Sequence, residues 1–229
     1  MIVGIHTQGD RIVVTDVQES VTFAKYKAAD NQLLIFADDV LPRWMTCSVM
    51  LDYDTVAGGD KFGNFFVTRL APETSDEVDD DPALSRVMLE RGFLNGAPHK
   101  VRSEVEYYVG DTITSVHRAV LVPGGSESVV YTTLMGAIGA FVPFTSKDDV
   151  TFMQQLEMHM RAEDPPLLGR DHLSYRSYYA PVKGVVDGVM CEGFTRLSSD
   201  RKKAIAAELD RTVPEVLKKI EDMQNKVAF

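Results

Sequence analysis

LVPGGSESVVYTTLMGAIGAFVPFTSKDD, residues 121 to 149, is the stretch that decides the fold of this chain. It holds two apolar runs separated by glycine-bearing turns, a pattern typical of strands in a meander. Directly after the second run, Ser146 precedes acidic residues and an amphipathic pattern, which predicts the start of a helix. The stretch therefore joins a sheet-forming part of the chain to a helical C-terminal part.

Upstream of this junction, short strand-like runs recur between turn signals. The predicted strands form three groups: Ile2 to Thr7, Arg11 to Asp16, Val21 to Lys27 and Gln32 to Ala37; Met45 to Leu51, Thr55 to Gly59, Asn64 to Leu70 and Val101 to Val109; Ile113 to Val122, Ser128 to Leu134 and Ala137 to Val142. Repeated groups of four meandering strands are typical of β-propeller blades. We therefore predict a mainly β fold over residues 1 to 145, a partial β-propeller of about three four-stranded blades, the last of them incomplete. The missing strand suggests that a portion of the propeller lies outside this chain.

An acidic insertion interrupts the second group at residues 71 to 98. It begins APETSDEVDDDP, and its six carboxylates predict a solvated loop. A calcium site is disfavoured because Val78 and Ala83 fall where oxygen ligands would be needed. A short surface helix is expected at Pro82 to Arg91, closed by Gly92.

Residues 146 to 229 are predicted to form a helical C-terminal domain. The first helix carries Met153, Leu156 and Met160 on one face and ends before Pro165 and Pro166. Further helices are predicted at Val185 to Leu197 and Ser199 to Leu209.

The last predicted helix has the clearest signals. Thr212 and Glu215 form a capping-box pattern, and an apolar stripe follows. The stripe consists of Val216, Ile220, Met223 and Val227. Because such a stripe has to be buried, we expect the helical tail to pack on another part of the chain, the propeller.

Composition limits the function classes. The formal net charge of −10 disfavours direct RNA binding, since a phosphate backbone needs a basic face. Only Cys47 and Cys191 are present, without a second cysteine at metal-ligand spacing, so we expect reduced, buried thiols. No leader-like N-terminal run and no apolar stretch of membrane-spanning length is visible, which predicts a soluble protein inside the cell.

Signatures of catalysis or cofactor binding are not found. The five histidines are scattered without metal-ligand spacing. Gly124-Gly125-Ser126 precedes a strand, whereas a phosphate-binding loop opens a helix, so a hairpin turn is favoured. Gly136 to Gly139 lacks the rest of a dinucleotide fingerprint. We predict no catalytic residue, cofactor, metal ion or small-molecule substrate.

One segment interleaves cations and aromatic side chains. Its candidate partner-contact residues are Arg170, His172, Tyr175, Arg176, Tyr178 and Tyr179. Arginine and aromatic residues are enriched at protein interfaces, and the same mixture could stack on RNA bases. The alternative is that the tyrosine rings are buried between the tail and the propeller. Trp44 carries the same ambiguity, with the core favoured.

Several motifs resemble a known family. They are TDVQES at 15 to 20, DYDTVAGGDKFGN at 52 to 64, LNGA at 94 to 97, VPGGSESVVYTTL at 122 to 134, GRDHLSYRSYYAPVKGVVDG at 169 to 188 and the closing KKIEDMQNKVAF. Together they resemble the C-terminal end of splicing factor 3b subunit three, a family of large propeller proteins of the spliceosome. The resemblance covers this whole chain and a small C-terminal part of the family's length.

The resemblance implies a non-enzymatic, nuclear scaffold in branch-site recognition. Its implied partners are the HEAT-repeat largest subunit and a very small helical subunit of splicing factor 3b, with RNA contact indirect or peripheral. Relatives that share this architecture leave one alternative, an adaptor of the damaged-DNA-binding type in a ubiquitin ligase. A truncated gene product without a function of its own is a further alternative.

Overall fold

The computed structural model describes residues 1–80, 96–163 and 165–225 of the chain. Its strands are β1 (Ile2–Gln8), β2 (Arg11–Asp16), β3 (Ser20–Lys27), β4 (Gln32–Asp38), β5 (Met45–Asp52), β6 (Thr55–Asp60), β7 (Asn64–Arg69), β8 (His99–Lys100), β9 (Arg102–Tyr108), β10 (Ile113–Ala119), β11 (Ser128–Thr133) and β12 (Ile138–Phe141). Its α-helices are α1 (Pro72–Asp80), α2 (Lys147–Glu163), α3 (His172–Tyr175), α4 (Gly188–Glu192), α5 (Ser199–Glu208) and α6 (Val213–Gln224), with a 3-10 helix at Gly193–Arg196.

The strands form three sheets in the predicted grouping. Their orders are β1-β2-β3-β4-β8, β5-β6-β7-β9 and β10-β11-β12. In the first two sheets the strands of each predicted group pair antiparallel, as expected for successive blades. The predicted fold class, a partial propeller with a helical C-terminal portion, is therefore confirmed.

The first sheet has a strand that was not predicted. The two residues of β8 pair parallel with the end of β4, where Ala37 lies opposite His99. Asp38 holds this connection, since its side chain accepts from the Ala97 amide at 3.0 Å and pairs with Lys100. The predicted strand at Val101 to Val109 accordingly begins one residue later, as β9 of the second sheet.

The acidic insertion does not begin as the predicted solvated loop. Pro72–Asp80 forms helix α1, whose Ser75 and Val78 are buried. Arg11, fully buried on β2, explains the attachment: it donates to Asp54 Oδ1 at 2.8 Å and to Ser75 Oγ at 3.3 Å. Burial and this hydrogen bonding stabilise a helix that composition alone disfavours. The helix predicted at Pro82 to Arg91 lies outside the described residues.

A buried ion-pair network joins the first two sheets. Arg43 donates to Asp39 Oδ2 at 2.9 Å and to Glu106 Oε2 at 2.9 Å, and its guanidinium lies 4.0 Å from the centre of the Phe66 ring. Burial opposes the charge on Arg43, but the two carboxylates outweigh it and raise the pKa of that side chain. Because Asp39 follows β4 and Glu106 lies on β9, the network fixes one sheet against the next.

A close approach joins the second and third sheets. A Cβ atom added to Gly59 of β6 would lie 2.6 Å from the Ile113 Cβ of β10, nearer than side-chain atoms pack. Thr46 Oγ1 reinforces the approach by donating to the carbonyl oxygens of Gly59 at 3.1 Å and Ile113 at 2.5 Å. Glycine is therefore needed here for packing.

The helical part has its own core. The predicted face of Met153, Leu156 and Met160 is buried on α2. It packs in one cluster with Cys191, Phe194, Ile205, Ala206, Leu209, Val216 and Ile220. The apolar side chains of these helices therefore pack against one another. Packing on the propeller, which the sequence predicts, is not required to bury them.

The helix boundaries agree with the predictions at most ends. Ser146 caps α2 by accepting from the Asp148 amide at 3.2 Å, and the capping box of α6 is present. The helix predicted at Val185 to Leu197 is shorter, since α4 starts at Gly188 and continues as the 3-10 helix. Asp187 caps α4 with its side chain and so sets this later start. Val227 lies outside the described residues.

Contacts divide the chain into two compact units. The first comprises Met1–His117 and Tyr131–Gly139, and the second comprises Arg118–Val130 and Ala140–Phe229. The predicted boundary between 145 and 146 stays a prediction.

Both thiols are free. Cys191 is buried as expected, whereas Cys47 is only partly buried, contrary to the expectation. Burial, with the nearby carboxylates of Glu157, Asp187 and Glu192, raises the pKa of Cys191 to about 12. We therefore expect iodoacetamide at pH 8 to leave Cys191 unmodified in the folded protein, because only a thiolate reacts. Peptide mass spectrometry with and without urea measures this. Modification of Cys191 at the same rate in both conditions would contradict its position in the core.

Candidate protein-interaction surface

Asp187 organises the segment that holds the candidate contact residues. Its side chain is buried, with the residue 4% exposed. Oδ2 accepts from Arg176 Nε at 2.8 Å and lies 2.9 Å from His172 Nε2. Oδ1 accepts from the amides of Val189 and Met190 at the start of α4. One carboxylate therefore joins α3 to α4.

The environment keeps this carboxylate ionised. Burial acts to raise the pKa of Asp187, but the Arg176 guanidinium and the hydrogen bonds from Met190 and His172 outweigh burial, so the pKa lies below its ordinary value. The Asp187 amide donates to Glu157 Oε1 on α2 at 3.0 Å. The loop between α3 and α4 is thus attached to the helical core at its end.

Two tyrosines of this segment face solvent. Tyr178 is 58% exposed and Tyr179 is 42% exposed. Their rings meet edge to face, with centroids 5.9 Å apart and planes inclined by 74°. Neither ring is therefore part of the buried core of the helical unit.

A shallow open depression lies beside the pair, with a volume of about 430 Å³. Its lining residues are Leu173, Ser174, Ser177, Tyr178, Tyr179, Ala180, Pro181 and Val182. Ser177 Oγ donates to the Leu173 carbonyl at 2.7 Å and accepts from the Val182 amide at 3.2 Å. These bonds close the chain around the depression and give it a defined shape.

The six candidate residues thus separate by role. Tyr178 and Tyr179 form an exposed wall, whereas His172 and Arg176 turn toward Asp187. Tyr175 ends α3 half-buried, and Arg170 lies exposed before α3. Sequence reasoning missed Asp187, although an aspartate directly before Gly188 and a helical run is a recognisable N-cap signal.

A second exposed group lies in the first unit. Trp44, expected in the core, is 45% exposed, with its ring beneath Lys61 Nζ at 3.2 Å from the centroid and edge to face with Phe62. The nearby turn carries Met135, which is 85% exposed and whose amide donates to Asp111 at 2.8 Å. The expected core position of Trp44 is therefore wrong. The side chain lies at the surface, where Lys61 covers one face of its ring.

Metal-ligand clusters and membrane-spanning helices are both absent from the described part of the chain. Residues 1–80, 96–163 and 165–225 contain no group of three or more His, Cys, Asp or Glu side chains placed to hold a metal ion. None of the helices in those ranges is long and apolar enough to cross a membrane.

Comparison with known proteins places the chain in a family. The model of the CPSF A subunit region matches residues 1–196, which include both exposed aromatic groups. The chain belongs to the CPSF A subunit region family. All six candidate contact residues of the segment lie within the part that matches this family.

Relatives extend the similarity to the helices beyond residue 196. The zebrafish (Danio rerio) protein splicing factor 3B subunit 3 is 55% identical over all of this chain, which covers 19% of that protein. A probable splicing factor 3B subunit 3 of Dictyostelium discoideum is 55% identical over 98% of the chain and 18% of its own length. A pre-mRNA-splicing factor of Neurospora crassa is 48% identical over the whole chain and 19% of its own length. These relatives confirm the resemblance found from the motifs, and the chain spans about a fifth of their length.

Proposed function

We propose that this chain acts in pre-mRNA splicing as part of the third subunit of splicing factor 3b, a non-enzymatic scaffold in the nucleus. The observation that carries the proposal is the 55% identity with zebrafish splicing factor 3B subunit 3 across the entire chain. Identity of this level over the whole chain supports a common fold and a common role.

The structure supports a binding role over catalysis. The hydrogen-bond networks of Arg43 and Asp187 are buried. The first joins two sheets, and the second joins two helices of the C-terminal part. Preformed sheets and helices offer surfaces that lose little conformational entropy when a partner binds. In the proposed role the partners are proteins, the HEAT-repeat largest subunit and the very small helical subunit of splicing factor 3b, during branch-site recognition.

The exposed tyrosine pair is the proposed contact within the helical unit. Tyr178 and Tyr179 would contact a partner, and Arg170 and Tyr175 would flank them. His172 and Arg176 act through Asp187 and hold the segment in place. The net charge of −10 favours a protein partner, with any RNA contact indirect or peripheral.

Purification of the tagged protein from its own cells tests the proposal. We expect mass spectrometry to identify the largest and smallest subunits of splicing factor 3b, at levels well above those from cells that express the tag alone. Recovery of cullin-type ubiquitin-ligase components in place of splicing proteins would overturn the proposal and favour the adaptor alternative. Recovery of neither group would also overturn it.

A further inference from the structure

Trp44 and Phe62 form an aromatic corner at the surface of the first unit. Their ring centroids are 6.4 Å apart and the ring planes are inclined by 86°, so the rings make two walls of an open site. Both side chains are exposed, Trp44 at 45% and Phe62 at 39%. A cation already occupies the corner, because Lys61 Nζ lies 3.2 Å from the centroid of the Trp44 ring and 5.0 Å from that of Phe62.

Hydrogen bonds fix the backbone around the aromatic corner. The Lys61 amide donates to the Trp44 carbonyl at 3.0 Å, and the Lys61 carbonyl accepts from Thr112 Oγ1 at 2.7 Å. The Asp60 side chain accepts from the Phe62 amide at 2.9 Å. The rings are therefore held in place, whereas the flexible four-carbon side chain of Lys61 can leave them without moving the backbone.

The ammonium group of Lys61 is held by the two rings alone among the described residues. Nζ donates no hydrogen bond there and lies within 4.0 Å of no carboxylate. The neighbouring acid, Asp60, is buried, and both of its oxygens accept hydrogen bonds from Asn64. At an exposed position a cation–π contact of this kind changes an equilibrium constant by only about two- to fivefold.

This environment favours one kind of cation from a partner. An unmodified lysine has three N–H groups that need acceptors, and the ammonium of Lys61 finds none at the aromatic corner within the described residues. A trimethylated lysine carries the same charge without an N–H group, so ring faces can satisfy it completely. A neutral apolar side chain would lose the electrostatic attraction to the rings.

We propose that the aromatic corner binds a trimethylated lysine side chain of a partner protein, which displaces Lys61 from the Trp44 ring. Lys61 is then an internal competitor, and it weakens binding by the two- to fivefold that its own contact contributes, about the value for an exposed cation–π pair. The inference goes beyond the proposed function and does not depend on it.

Ligand-observed NMR on the purified full-length protein tests the inference. The probe is the amide of Nα-acetyl-Nε-trimethyllysine, and saturation transfer to its methyl protons, measured during a titration, gives the dissociation constant. The comparison ligands are the unmethylated lysine amide and a neutral isostere in which carbon replaces the quaternary nitrogen. We expect both to bind at least about fivefold more weakly than the probe.

Two variants should shift the affinity for the probe in opposite directions. Trp44→Ala should lower it at least about fivefold, because the ring beneath the cation is lost. Lys61→Gln should raise it about two- to fivefold, because the internal competitor is removed, and a misfolded variant would not gain affinity. The matched controls are Tyr26→Ala, an exposed tyrosine of the first unit, and Lys147→Gln, an exposed lysine at the start of α2. Both controls should leave the dissociation constant unchanged.

Several outcomes overturn the inference. They are equal binding of the probe and the neutral isostere, equal binding of the methylated and unmethylated lysines, and an affinity that Trp44→Ala does not lower or Lys61→Gln does not raise. Splicing factor 3b subunits that are still recovered with the tagged protein in those cases would leave the proposed function standing. Specific binding of the probe by a protein that recovers no such subunits would support the inference and overturn the proposed function.

Discussion

Arg43→Leu is expected to lower the free energy of unfolding by about 3–5 kcal/mol, because it leaves two buried carboxylates without their counter-charge. Asp39 and Glu106 are both almost completely buried beside Arg43, and the leucine can replace the contact with Phe66 but none of the hydrogen bonds. For a chain of this size the apparent melting temperature should fall by about 10 °C. The measurement is the fraction of tagged protein that stays soluble after cells are heated.

Arg102→Leu is the matched control for this experiment. Arg102 lies on β9, as Glu106 does, but its side chain is exposed. Exposed substitutions usually change stability by less than about 0.5 kcal/mol, so the melting temperature of this variant should be nearly unchanged. Equal shifts in the two variants would mean that the network between the first two sheets contributes no more than a surface arginine.

The strand groups could be predicted because their signals are local. Gly9, Ser20 and Asn31 take positive φ angles at the turns of the first sheet, where the sequence shows small or polar residues between β-branched runs. The helices α2 and α6 were predictable for the same reason, since the cap and the apolar stripe lie within a few turns of each other.

The remaining features depend on residues far apart in the sequence. The parallel pairing of β8 needs the Asp38 side chain, and helix α1 needs the buried Arg11. Trp44 lies at the surface because Lys61 covers its ring. None of these contacts leaves a periodic signal, so local propensity gave the wrong expectation for the acidic segment and for Trp44.

The candidate surface was predictable in composition and not in geometry. The clustering of arginine and tyrosine at residues 170 to 179 is visible in the sequence. Which of these side chains face solvent was decided by Asp187, eight residues beyond the cluster, because it draws His172 and Arg176 inward and leaves Tyr178 and Tyr179 outside. A buried residue such as Asp187 can therefore determine which side chains face solvent without being exposed itself.

Asp187→Ala should destabilise the connection between α3 and α4 by about 2–4 kcal/mol, because it removes a helix cap and leaves Arg176 without its buried partner. Asp187→Asn keeps the cap but loses the charge, so its loss should be smaller. Hydrogen exchange of residues 172–192, measured by mass spectrometry on the full tagged protein, reports the local opening free energy. Asp171→Ala is the control, since Asp171 precedes α3 without a side-chain cap bond. Equal effects at both aspartates would contradict the central role of Asp187.

The pH dependence separates the charge from the cap. The pKa of Asp187 in the folded protein lies below the ordinary value of 3.8. Its charge therefore contributes stability fully above that value, and the contribution is lost as the pH falls through the lowered pKa. After correction for the intrinsic pH dependence of exchange, protection in the unmodified protein should decrease below about pH 4, whereas Asp187→Asn should lack this component. If both proteins lost protection in parallel, the cap rather than the ion pair would hold the tyrosine surface in place.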